Sequence, residues 1–135
     1  MRIIDANVVI RYLAADHPDQ SERTIPFFDR LVTGEERALM IEGVIVEIIQ
    51  VLSSRRGYAM SRPYIAHALQ TIISLLGLHV PDRDQHFAAL AWYATSHLDY
   101  VDCLNIAFMR ALDITEIVTF DHDYDFIQGI ARIEP

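Results

Sequence analysis

The sequence contains no lysine, a single cysteine and only five glycines. A lone cysteine cannot form an internal disulfide, so we expect a protein that is stabilised by packing in a reducing compartment. So few glycines leave no glycine-rich loop of the kind that binds nucleotide phosphates. The lack of lysine excludes a response-regulator receiver domain, whose site requires one.

Long apolar runs are also missing. No run approaches the roughly 20 residues that cross a bilayer, and residues 1–5 lack the apolar core of a secretory signal, so we expect a cytoplasmic protein that does not contact membranes. The chain of 135 residues fits one compact domain, and we expect a single domain over 1–135. A net charge of -8 excludes a protein that coats nucleic acid through a general basic field. It does not exclude an enzyme that cuts nucleic acid with bound divalent cations.

Short apolar segments alternate with segments of helical periodicity. This alternation predicts an α/β sandwich, with a short, mostly parallel sheet flanked by helices. Pro26 is expected to kink or delay the second helix. The predicted strands are Arg2–Asp5, Ala38–Ile41, Gly77–Val80, Glu116–Phe120 and an edge strand at Ile130–Ile133. The predicted helices are Asn7–Leu13, Gln20–Val32, Val44–Ser54, Pro63–Leu76, Arg83–Ser96 and Tyr100–Leu112.

Acidic residues recur where strands end or helices begin. Asp5 and Asp121 each close a predicted strand, and Asp99 and Asp102 lie one turn apart at the start of the last helix. Open α/β sheets bind ligands beyond the carboxyl ends of their strands, so this pattern predicts that the acids meet at one edge. Each acid also has a simpler interpretation, which is a helix cap or a favourable first-turn charge for Asp5, Asp99 and Asp102, and a solvated loop for Asp121.

Two further acids leave alternatives open, and a third does not. Glu47 has apolar neighbours on its predicted helix, so it is either exposed by the rotation of the helix or held inward with a partner. Asp123 either joins the acids or lies in a solvated loop, and for Asp125 we expect the loop. The arginine pair Arg55–Arg56 is expected to be a solvated helix end rather than an RNA contact.

The six histidines show none of the close spacings that zinc enzymes use. Carboxylates are instead the hard oxygen ligands that magnesium and manganese prefer. A cluster of acids therefore predicts Mg²⁺ or Mn²⁺ as the cofactor.

The order and spacing of four segments resemble the PIN domain family of ribonucleases, and within it the small VapC-type toxins of VapBC toxin-antitoxin pairs. The resemblance spans nearly the whole chain. The segments that carry it are Ile3–Asn7, Val46–Ile49, Tyr100–Leu104 and Val118–Asp123.

The resemblance implies a PIN-like three-layer sandwich and a metal-dependent endoribonuclease that hydrolyses RNA to a 5'-phosphate product. It also implies a cognate antitoxin as partner and a homodimer. Thr119 falls on the family's small polar residue, whose hydroxyl is expected to orient Asp121 or a water. The implied metal-binding and catalytic acids are Asp5, Glu47, Asp102 and Asp121, with Asp123 as an auxiliary metal ligand.

Two other functions compete with this one. The first is a catalytically weak PIN-like module that only binds RNA or a partner, and retention of all the core acids argues against it. The second is a phosphatase of the aspartyl-phosphate type, which is expected to carry an acid two residues after Asp5. That position is Asn7.

Overall fold

The computed structural model describes all residues from 1 to 135. The chain forms six helices and five strands, with two helices after each of the first three strands and a short 3₁₀ helix between the last two strands. The helices are α1 (Ala6–Ala14), α2 (Pro18–Thr33), α3 (Glu42–Ser53), α4 (Arg62–Ile73), α5 (Arg83–Thr95) and α6 (Tyr100–Ala111). The strands are β1 (Arg2–Ile3), β2 (Ala38–Leu39), β3 (Leu78–His79), β4 (Glu116–Val118) and β5 (Ala131–Ile133), and the 3₁₀ helix is His122–Phe126.

All strand pairs are parallel, as the alternation of strands and helices predicts. The strands form two sheets rather than the one expected. In the first sheet β1, β2 and β3 pair in that order, and in the second β4 pairs only with β5. The strands are also shorter than the apolar segments. Ile4 and Met40 continue the hydrogen bonding beyond β1 and β2, but the chain then turns into α1 and α3.

The second helix differs from its predicted form. It begins at Pro18, where a proline suits the first helical position because no amide donor is needed there. It then runs through Pro26 without a break and ends at Thr33, and the next residue, Gly34, has a φ of 80°, the left-handed conformation that glycine adopts readily. The expected delay at Pro26 is therefore wrong.

A cluster of 29 buried hydrophobic residues forms the core. The third helix is central to it, since Ile45, Ile48 and Leu52 are fully buried and α3 packs against α1, α4 and α6. Burial of this apolar stripe fixes the rotation of α3 and so decides which of its side chains face outward. None of the helices is both long enough and apolar enough to cross a membrane.

Candidate active site

Asp5 ends the first strand region and begins α1. Its Oδ1 accepts a hydrogen bond of 2.9 Å from the backbone amide of Ala6, so Asp5 is an N-cap, as the simpler interpretation held. No group of the protein donates to its second carboxylate oxygen. The exposed side chain lines a groove that also contains Arg2, Arg11 and Arg23.

Asp102 lies in the first turn of α6 and is half-buried. The hydroxyl of the buried Tyr124 donates a hydrogen bond of 2.8 Å to its Oδ1. That same hydroxyl accepts a hydrogen bond of 3.1 Å from Nδ2 of Asn105, one turn further along α6. The chain Asn105–Tyr124–Asp102 therefore fixes one oxygen of the carboxylate, while the other has no donor within the protein.

The electrostatic surroundings of Asp102 favour its protonated form. Burial raises the pKa of this carboxyl above its ordinary value, and the negative charges of Asp121, Asp99 and Asp123 raise it further. The hydrogen bond from Tyr124 acts in the opposite direction and lowers the pKa. The structure thus brings four acids into one electrostatic neighbourhood, where a divalent cation would offset their repulsion.

Asp121 is held by two bonds within its own turn. Its Oδ1 accepts from the amide of Asp123 at 2.9 Å, which makes Asp121 the cap of the 3₁₀ helix. Its own backbone amide donates to the hydroxyl of Thr119 at 3.0 Å. Thr119 therefore positions Asp121 through the backbone rather than through the carboxylate.

Glu47 is exposed on α3 and makes no hydrogen bond or ion pair with the rest of the chain. Of the two alternatives left open for it, exposure by helix rotation is the one observed, since the neighbouring Ile45, Ile48 and Ile49 are buried. Its helix packs against both α1, which Asp5 caps, and α6, which carries Asp102. Glu47 lines neither the groove beside Asp5 nor the one beside Asp102.

The remaining acids separate into two groups. Asp99 occupies the N-cap position of α6 but makes no capping hydrogen bond with its side chain, and it lines the same groove as Asp102. Asp125 instead pairs with His122 Nδ1 and Arg132 Nε, each at 2.9 Å. These two partners lower the pKa of the Asp125 carboxyl, the hydrogen bond from His122 first. Both carboxylate oxygens of Asp125 thus have a partner within the protein, His122 for one and Arg132 of β5 for the other.

Carboxylates are suitable ligands for a hard divalent cation, but the acids of this structure are not arranged as a closed metal site. No three His, Cys, Asp or Glu side chains lie close enough together in the structure to hold a metal ion between them. Asp5, Asp102 and Asp121 nevertheless each keep one carboxylate oxygen without a hydrogen bond from the protein. Shared ligation requires these side chains to move closer together.

The sequence analysis missed Tyr124 and Asn105 as residues that position Asp102. A signal was present for Asn105, because it lies three residues after Asp102 and so on the same helical face. No comparable signal marked Tyr124, since a tyrosine between acids in a loop gives no indication of burial.

The PIN domain model matches residues 2–129, so the chain belongs to the PIN domain family. This confirms the resemblance and the PIN-like α/β fold. The chain is 28% identical to VapC ribonuclease Mb1869c of Mycobacterium bovis, with 98% of this chain and 99% of the relative covered. It is equally similar, at 28% identity over the same shares of both chains, to ribonuclease VapC13 of Mycobacterium tuberculosis. The two relatives agree with the VapC-type group that the four sequence segments resemble.

Proposed function

We propose that this chain is a divalent-metal-dependent endoribonuclease and the toxin of a toxin-antitoxin pair. The observation that carries the proposal is the state of Asp102, a half-buried carboxylate at the start of α6 whose pKa is raised by burial and by the charges of three other acids. Such an arrangement costs stability unless a cation binds there. In a chain of the PIN domain family, similar throughout to proteins named as ribonucleases, a nucleic-acid phosphodiester is the substrate that suits it.

The residues that would hold the cation are Asp5, Glu47, Asp102 and Asp121, with Asp123 beside them. A bound Mg²⁺ or Mn²⁺ would make water at the site more acidic and offset the negative charge that develops on the phosphate. Tyr124 keeps Asp102 oriented and favours its ionised form. Thr119 and the amide of Asp123 fix the turn that presents Asp121. Hydrolysis by an attacking water leaves a 5'-phosphate and needs no 2'-hydroxyl.

The test is cleavage of a mixed RNA pool with Mn²⁺ by four variants, Asp5→Asn, Glu47→Gln, Asp102→Asn and Asp121→Asn. We expect the first three to lose more than about 100-fold in activity, because removal of an outer-shell partner of a metal ligand already costs about 10- to 100-fold. Asp121→Asn should lose less. Circular dichroism should show an intact fold in all four.

Asp125→Asn is the matched control, because Asp125 belongs to the same acidic segment but is paired with Arg132. It should retain wild-type activity. Full activity of folded Asp102→Asn would contradict the proposed site. RNA binding without any cleavage by the wild-type chain would favour the binding module instead. The antitoxin and the homodimer that the resemblance implies stay predictions.

A further inference from the structure

Arg55 and Arg56 lie side by side in the turn between α3 and α4, and the structure gives them different surroundings. Both are exposed, and neither makes a hydrogen bond or an ion pair within the chain. Arg55 lines the groove that contains Asp99 and Asp102, whereas Arg56 lines a separate recess with Tyr58. Both arginines are solvated, as expected for a helix end. Only Arg55, however, also lies beside the candidate active site.

The turn that carries the two arginines is anchored. The amide of Gly57 donates to the carbonyl of Ser54 at 3.0 Å, and the amide of Met60 donates to the carbonyl of Leu52 at 2.9 Å. The hydroxyl of Tyr58 donates to Asp16 Oδ2 at 2.6 Å and so ties the turn to the segment between α1 and α2. The backbone of Arg55 thus has a fixed place at the rim of the groove, while its guanidinium keeps all its donors free.

The other cation of this groove, Arg62, is already occupied. Its Nε donates to the carbonyl of Tyr93 at 2.9 Å, and its guanidinium lies 3.7 Å from the centre of the Tyr93 ring. A second guanidinium nitrogen donates to the carbonyl of Leu98. Arg62 therefore contributes a fixed positive charge, and Arg55 is the arginine of the groove whose donors can bind a ligand.

The groove is also bordered by the first turns of α4 and α6. Amides at helix N-termini favour anions, and the side chain of Asp99 does not cap those of α6. Carboxylates of Asp99 and Asp102 lie in the same groove, so a polyanion can enter only when a cation offsets them. A chain of phosphates that meets the metal at Asp102 would find the free cation of Arg55 along the same groove.

We propose that Arg55 binds a backbone phosphate of the RNA strand beside the one that is cleaved, and so positions the strand in this groove. The inference rests on the proposed function and extends it to a second contact with the substrate. An arginine can donate two parallel hydrogen bonds to one phosphate, which lysine cannot do. Arg56, with the same charge one residue away, lies outside the groove and makes no such contact.

The experiment compares Arg55→Gln with Arg56→Gln, each made in the Asp102→Asn background, which prevents cleavage and also removes the Asp102 charge that a metal would otherwise have to offset before RNA enters. The probe is a fluorescently labelled single-stranded RNA of mixed sequence, and anisotropy is measured over a series of KCl concentrations. Arg55→Gln should weaken binding about 10-fold, as expected for loss of one charge-assisted hydrogen-bonded contact. It should also reduce the slope of log affinity against log salt by about 0.7, the value for one phosphate contact on a single strand. Arg56→Gln should change neither quantity.

The same substitutions in the chain with Asp102 intact separate binding from chemistry. Arg55→Gln should raise KM and leave kcat nearly unchanged, because the contact exists in both the ground state and the transition state. Arg55→Lys should fall between wild type and Arg55→Gln, since it keeps the charge but loses the paired donors. Circular dichroism of each variant confirms the fold.

Equal effects of Arg55→Gln and Arg56→Gln would mean that only the overall charge matters, and would overturn the assignment. Wild-type binding by Arg55→Gln would overturn it too, and so would a lack of RNA binding by every form. Failure of the proposed function looks different. If the wild-type chain never cleaves RNA with Mn²⁺ but binding still depends on Arg55 and not on Arg56, the hydrolase is wrong while the RNA contact stands.

Discussion

At the scale of single residues, Tyr124 influences both the orientation and the ionisation of the Asp102 carboxylate. It is a buried tyrosine in a segment that otherwise consists mainly of exposed acids, and its hydroxyl joins Asn105 to Asp102. By donating to the carboxylate it stabilises the ionised form, which is the form that ligates a metal. This single contact counteracts part of the effect of burial and of the neighbouring acids on the Asp102 pKa.

We therefore predict that Tyr124→Phe lowers RNA cleavage about 10-fold, within the range for loss of a partner of a metal ligand. The variant should also shift the acid limb of the pH–rate profile to higher pH. The sign follows because the lost hydrogen bond lowers the pKa of Asp102, so its removal raises that pKa further and the ionised carboxylate persists only at higher pH.

Tyr64→Phe is the control for this prediction, because Tyr64 is half exposed on α4 and its hydroxyl makes no hydrogen bond. Its pH–rate profile should match that of wild type. A loss of activity in Tyr124→Phe without any shift of the acid limb would mean that Tyr124 supports the fold and not the ionisation of Asp102.

At the scale of elements, a buried polar contact joins α5 and α6. The two helices pack closely, and Nδ1 of His86 on α5 lies 2.7 Å from the hydroxyl of Tyr100 on α6. Only 1% of the His86 surface is exposed. Burial lowers the pKa of this imidazole, and the nearby charges of Glu42 and Asp82 offset the effect only in part. His86 is thus a buried, neutral residue at the interface of the two helices, in contact with the first residue of α6.

This contact predicts a pH dependence of stability. The unfolded chain takes up a proton on His86 near the ordinary pKa of 6.5, whereas the folded chain does so only at lower pH. The contribution of His86 to the free energy of unfolding should therefore be fully present above pH 6.5. It should decrease as the pH falls toward the lower pKa of the folded state, by at most about 1.4 kcal/mol per pH unit. Urea unfolding between pH 7.5 and pH 5 measures it.

His86→Gln removes the titrating group and should flatten this part of the curve. The exposed His67→Gln should retain the wild-type pH dependence. An unchanged slope in His86→Gln would show that other groups cause the loss of stability in acid.

Elements are also the level at which the sequence was most informative. Strongly periodic segments such as Val44–Ser54 predicted α3 to within two residues at its start and one at its end, because an apolar stripe can be buried in only one way. The division into two sheets could not be predicted, since it depends on which strands meet in space. Asp82 illustrates a similar limit, because it precedes α5 with a φ of 56° and without a capping bond from its side chain, and neither feature can be predicted from the sequence.

For the candidate site, the sequence supplied residue types and approximate positions but not contacts. Asp5, Asp102 and Asp121 were predicted as site residues because each follows a strand or opens a helix, and they stay candidates. The position of Tyr124 under Asp102 could not be foreseen, because it depends on how the 3₁₀ helix packs on α6. The different surroundings of Arg55 and Arg56 are equally invisible in sequence, since they follow from the path of one turn.

At the scale of the whole molecule, the distribution of charge matters more than its sum. The net charge is -8, yet three arginines line the groove beside Asp5 and two line the groove beside Asp102. An acidic protein can therefore still present arginines in both of the grooves that contain its candidate acids. General binding to nucleic acid remains disfavoured, while a phosphate chain that enters at the acids would need a divalent cation to offset their charge.

The central claim is that acids from separated segments together hold a divalent cation. The most direct test is thermal unfolding of chelator-treated protein across a Mn²⁺ titration, at matched ionic strength. A ligand that binds only the folded state stabilises it by about 2.7 kcal/mol at about 100 times its Kd, so we predict a rise of several degrees in Tm. The rise should shrink at lower pH, because ligation requires ionised carboxylates and the pKa of Asp102 is raised. Asp125→Asn should show the same rise and Asp102→Asn little or none, whereas no rise up to millimolar Mn²⁺, or an equal rise in Asp102→Asn, would contradict the shared site.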